Sequence, residues 1–142
     1  MQACESFDLM DRGPTPFITE LNVVASSNPN YRSTLWTGDL LQLTVMSIPV
    51  NDDIGLEMHD DTDQFLYVIN GTGCVQMGPA EDNITFSRPV WTGNAIFVPN
   101  GTWHNVVNTG NIDLKLFTVY APPHHPHGTI HKTKEDAQRE GN

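Results

Sequence analysis

The feature that most constrains this chain is its rhythm: from residue 31 to residue 120, short β-prone runs follow one another with hardly a helical period among them. The runs fall at 31–36, 40–48, 54–59, 64–70, 73–77, 84–90, 95–98, 103–108 and 114–120. Between them stand clusters such as Thr37-Gly38-Asp39, Asn70-Gly71-Thr72-Gly73, Pro99-Asn100-Gly101 and Thr109-Gly110-Asn111, where Gly, Asn and Pro supply the dihedrals that tight reversals need. Many short strands punctuated in this way predict an all-β sandwich or barrel. Closure into a barrel also removes the exposed edges that so many strands would leave.

The flanks read differently. With 142 residues the chain has room for one domain, and it divides into an N-terminal arm at 1–30, the barrel at 31–120 and a tail at 121–142. Within the arm, 17–26 fits either a strand or a short helical turn, and Ser26-Ser27-Asn28-Pro29-Asn30 ends it. The tail opens with Ala121-Pro122-Pro123-His124-His125-Pro126-His127-Gly128, a stretch whose prolines forbid helix and central strand alike. It therefore wraps or dangles. His124, His125, His127 and His131 are read as tail residues, not as a second metal site, with His125 able to reach a site at the barrel mouth. Thr133, with Asp136 three residues on, can cap one or two helical turns over 133–139.

Charge narrows the partners. Seventeen acidic against seven basic residues give a net charge of −10, which repels nucleic acid and anionic membrane surfaces and leaves a small-molecule substrate or ligand as the expected partner. Cys4 and Cys74 do not make a disulfide framework, and no apolar leader or span of 18 apolar residues is present. A cytoplasmic protein is expected.

Chemistry concentrates in two places. On a strand with period two, Glu57 and His59 project from one face and can approach a single ion together. Gln64 then opens the next run, sharing a face with Leu66 and Val68. Forty residues later, a second strand, turn and strand arrangement delivers His104. The spacing Gly93, Pro99, Gly101, His104, Asn108 matches the second motif of the cupin superfamily at every specified position. The stretch Glu57-Met58-His59, then Gln64, then Gly71 keeps the spacing of the first cupin motif, with two ligand identities altered. The chain thus resembles a small single-domain cupin. Glu57-x-His59-Asp60, Asp63-Gln64-Phe65 and the Ala121-Pro122-Pro123-His124 tail are similar to those of the short cupins labelled as like mannose-6-phosphate isomerase.

The resemblance implies a double-stranded β-helix, a jelly-roll barrel, carrying one divalent metal at Glu57, His59, Gln64 and His104, and a homodimer. Two imidazoles, a carboxylate and a neutral oxygen suit Zn(II), Fe(II), Mn(II) or Ni(II). Glu57 has a second role open to it, as the catalytic general base, and Gln64 can either ligate the metal or hydrogen-bond to what the metal holds. The function expected is that of a metal-dependent enzyme acting on a sugar or other small molecule, isomerase-like in its most specific form. Two alternatives stand beside it, a dioxygenase of the Fe(II) type and a non-catalytic cupin that binds a small ligand.

Overall fold

The computed structural model describes residues 9–141; Cys4 lies outside them. Short strands and two short helices make up its regular structure: α1 (Leu21–Ser27), β1 (Arg32–Thr37), β2 (Gln42–Ile48), β3 (Asp63–Asn70), β4 (Thr72–Gly78), β5 (Phe86–Trp91), β6 (Ala95–Val98), β7 (Trp103–Asn108), β8 (Leu114–Ala121), β9 (Ile130–His131) and α2 (Lys134–Arg139). A six-stranded sheet in the order β6-β3-β8-β2-β1-β9 faces a three-stranded sheet in the order β5-β4-β7. All the pairings are antiparallel. The two sheets form the all-β barrel that the spacing of runs and turns predicts, with the jelly-roll form that the resemblance implies.

Side-chain alternation sorts each strand into an inner and an outer face. Along β3 the buried positions are Gln64, Leu66 and Val68, and along β8 they are Leu114, Leu116, Thr118 and Tyr120. The inner faces meet in an apolar cluster that includes Ile48, Leu66, Val68, Val75, Val106, Leu114 and Leu116. Each such side chain contributes roughly 1.5–3 kcal/mol by leaving water, a large fraction of the about 5–15 kcal/mol by which a domain is stable. The interior is not uniform. Toward one end of the barrel the inner face turns polar, with Arg32, Thr34, Gln42, Thr44, Gln64, His104 and Thr118 all buried.

Outside the barrel, the alternative left open at 17–26 resolves as helix. Leu21, Val24 and Ala25 lie on one face of α1 and pack on Leu35, Val45, Ile69 and Phe117 from the outer face of the large sheet. The helix has no side-chain cap, so burial of that face holds it. The tail wraps. Its β9 pairs with β1, and α2 carries the expected capping box between Thr133 and Asp136 and buries Ala137 completely.

One expected strand does not form as such. Only isolated bridges form there, Asp53 with Val107 just before segment 54–59 and Glu57 with His104 within it. Gly55, at φ +87°, turns the backbone out of the extended conformation between them, and the ladder is interrupted there. No helix among the described residues is long and apolar enough to cross a membrane.

Candidate metal centre

Backbone contacts bring the two chemical stretches together. Glu57 and His104 exchange both backbone hydrogen bonds, at 3.0 and 2.9 Å, so their side chains stand opposite each other on one face. Gly101, at φ +79°, aims its N–H at the His59 carbonyl at 2.6 Å. A left-handed conformation of this kind favours glycine. A third tie runs from the backbone and side-chain N–H groups of Asn100 to Asp63 Oδ1, at 2.9 and 3.0 Å. The Pro99 to Gly101 turn thus sets the position of His59 as well as that of His104.

What these ties assemble is a cluster of Glu57, His59 and His104 whose donor atoms lie within 4.8 Å of one another. Glu57 Oε2 is 3.7 Å from His59 Nε2 and 3.6 Å from His104 Nε2. Those separations are longer than a hydrogen bond. They are close to the spacing of about 3.4 Å between two ligands that each sit about 2.1 Å from a tetrahedral ion. His104 Nδ1 is 2.9 Å from the Thr102 carbonyl; a carbonyl only accepts, so Nδ1 carries the proton and Nε2 presents its lone pair to the cluster. Both Nε2 atoms are buried without a hydrogen-bond partner, an arrangement that costs free energy unless a cation or proton donor occupies the space between them. The residues present therefore fit a divalent metal, and among the described residues no other group of His, Cys, Asp and Glu does so.

Electrostatics points the same way. Burial alone would raise the Glu57 carboxyl, but His104 and His59 beside it hold it down at about 2, so it stays an anion at neutral pH. Gln64 is buried on the inner face of β3. Its Nε2 donates to Thr118 Oγ1 at 3.4 Å, and its Oε1 is buried with no hydrogen-bond partner, leaving a neutral oxygen for a ligand or ion.

The tail supplies what sequence inspection missed. The sequence points to His125 as the tail residue able to reach the site, but the structure brings His124 there, its ring centroid 4.1 Å from that of His59. His125 lies one step away against Tyr120, where burial pushes its pKa down to about 2 and keeps it neutral. One fully buried side chain holds this arrangement. Gln42 Oε1 accepts from the N–H groups of His124 and His125 at 3.1 and 2.9 Å, and its Nε2 donates to the His125 carbonyl at 2.7 Å and to Thr37 Oγ1 at 3.0 Å. Gln42 falls on the same alternation as Thr44, Met46 and Ile48, so its inward direction is legible from period two, but its partner is not. His131 is likewise structural. Arg32 Nη1 lies 3.1 Å from its Nδ1, and its Nε2 lies 2.8 Å from Glu140 Oε1; since arginine only donates, Nδ1 accepts and Nε2 donates.

Comparisons with known proteins agree with this architecture. The family description "Cupin domain" matches residues 44–120. YrkC of Bacillus subtilis is 51% identical over 129 residues, covering 91% of this chain and 69% of that protein. L612 of Acanthamoeba polyphaga mimivirus is 35% identical over 115 residues, covering 80% and 70%. The crystal structure of BH2720 from Bacillus halodurans superposes with a TM-score of 0.91 at 53% identity, covering 92% of this chain and 98% of that one. On the motifs, the two-sheet barrel and these matches, the chain belongs to the cupin family.

Proposed function

We propose that this cupin holds one divalent metal ion through Glu57, His59 and His104, with the Gln64 oxygen as a fourth donor, and acts through it on a small molecule. The observation that carries this reading is the pair of buried, unpartnered Nε2 atoms converging on one ionised carboxylate. Zn(II), Fe(II), Mn(II) and Ni(II) all accept such a donor set. When bound, the ion supplies Lewis acidity toward an oxygen of the ligand.

The chain's own residues divide the remaining work. Thr102 fixes the His104 tautomer, Thr118 orients the Gln64 amide, and the His124 ring, tilted against His59, covers it on the tail side. Of the two roles open to Glu57, the geometry supports ligation: its Oε2 lies 3.7 and 3.6 Å from the His59 and His104 Nε2 atoms, the spacing of ligands around one ion. Moving a proton between adjacent carbons, the step that an isomerase-like reaction on a sugar requires, then falls to Glu57 only if ligation leaves one of its oxygens free, and otherwise to a neighbouring group. A cytoplasmic homodimer completes this reading.

Metal uptake tests it. Protein purified without a histidine tag and dialysed against Zn(II) or Mn(II) is expected to retain one ion per chain by elemental analysis, with His104→Ala and Glu57→Ala each weakening retention at least tenfold. Wild-type protein that retains no ion, or variants that retain it as well as wild type does, would overturn the proposal.

A further inference from the structure

A cleft opens in the barrel wall on the side away from the tail. β5 and β6 each form one edge of their sheets and do not pair with each other. Between them opens a cleft of about 380 Å³, within the size range of small-ligand pockets. Val75, Val90 and Ile96, core residues of the barrel, form its floor, and Phe86, Arg88 and Phe97 line its rim.

Met77, which also lines the cleft, is the cross-strand partner of His104 on the inner face. Two adjoining cavities are lined by neighbours of the cluster. One, of about 330 Å³, is lined by Met77 and by Thr102, the carbonyl partner of His104. The other, of about 220 Å³, is lined by Gln64. Phe97, which is 70% exposed, borders all three. A cavity of about 240 Å³ on the tail side does not offer an equivalent route, because His124 stands between it and His59 and its segment is held by Gln42.

We propose that the cleft between β5 and β6 is the ligand pocket of the metal cluster, taking a small molecule with an apolar, ring-sized body and an oxygen-donor head. The body lies on Val75, Val90 and Ile96, and the head points past Met77 toward His104. Arg88, folded over the Phe86 ring at 4.8 Å, places a cation at the mouth of a chain whose net charge is −10, which favours neutral or anionic molecules over cationic ones. The assignment of the head rests on the metal reading above; that of the body does not.

Two probes separate them. In metal-loaded protein, calorimetric titration with benzohydroxamate is expected to give an affinity roughly tenfold or more above that of acetohydroxamate, because the added ring is buried. Val90→Phe, which fills the floor, and Ala95→Trp, which blocks the exposed rim, are expected to weaken benzohydroxamate binding roughly tenfold and to bring the two affinities within about twofold. Equal affinities in the wild type would overturn the pocket. In metal-free protein, benzyl alcohol is expected to shift the Met77 methyl resonance in wild type and not in Ala95→Trp. Absence of that shift would overturn the pocket even if the chain took up no metal, whereas no metal uptake with the shift present would sink the metal reading alone. If the wild type sediments as a dimer, Phe97→Glu makes it a monomer and only the monomer binds the probes, the cleft is an interface between copies and the proposal fails.

Discussion

Two regions meet at His59, and they are held there by different physics. The motif side, residues 52–64 and 93–108, is fixed by main-chain contacts: the reciprocal Glu57 and His104 bonds, the Gly101 N–H on the His59 carbonyl, and the bond from Asn108 N–H to the Asp52 carbonyl. Asn108, the last residue of the second motif, adds three more through its side chain, donating to the Ile48 and Ile112 carbonyls and accepting from Gly110 N–H, each at 2.9 Å. The tail side is held at its point of contact mainly by side chains: Gln42, some eighty residues earlier in the chain, takes the His124 and His125 N–H groups, and Thr62 donates to the Pro122 carbonyl at 2.6 Å. Backbone ladders tolerate most substitutions along them. Buried side-chain contacts do not, so the seat of His124 beside His59 opens locally more readily than the motif side.

Four changes break or sharpen that contrast. The largest effect is expected from Asn108→Ala, which takes the side-chain donor from the buried Ile48 carbonyl and from the Ile112 carbonyl and the acceptor from the Gly110 N–H; chemical denaturation should show a loss of about 3 kcal/mol in global stability. Next, Gln42→Ala should cost about 2 kcal/mol, but locally. Amide exchange at His124 and His125 should accelerate and the tail become open to proteolysis, while His59 and His104 still take up metal. If the barrel instead unfolds together with the tail, the two halves are not separable. Thr133→Ala, which removes the cap of α2, should cost about 1 kcal/mol and fray only the C-terminal turns in circular dichroism.

The smallest effect should appear only in acid. Asp11 is buried, and although burial alone would raise its carboxyl, bonds from Thr37, Gly128 and Gly13 lower it below the ordinary value of 3.8. A carboxyl depressed in the folded state stabilises above its unfolded pKa, and that contribution is lost as pH falls through the folded value. Because Gly128 belongs to the tail, protection there should weaken below about pH 4 before the barrel melts, and Asp11→Asn should abolish that difference between pH 6 and pH 3.

How far the sequence revealed this molecule follows from the same contrast. Alternation and turn residues marked the strands from β1 to β8 to within a few residues, because a half-buried sheet writes its burial pattern directly into the chain. The fixed spacing of Gly93, Pro99, Gly101, His104 and Asn108 was legible because four of those residues serve the backbone around the fifth. Segment 54–59 misled, since its alternation is that of a strand while Gly55 interrupts the pairing. The tail was hidden for another reason. Prolines exclude regular structure but do not say where an extended chain lies, and neither Gln42 nor His124 carries any local sign of the other.

The chemistry open to this barrel depends on whether the buried space among Glu57, His59 and His104 is a metal site. Anomalous diffraction at the metal edge, from crystals grown with Zn(II) or Mn(II), tests it most directly. One peak within about 2.3 Å of Glu57 Oε2, His59 Nε2 and His104 Nε2 is predicted. A peak only among the tail histidines, or none in protein whose three side chains keep these positions, would contradict it.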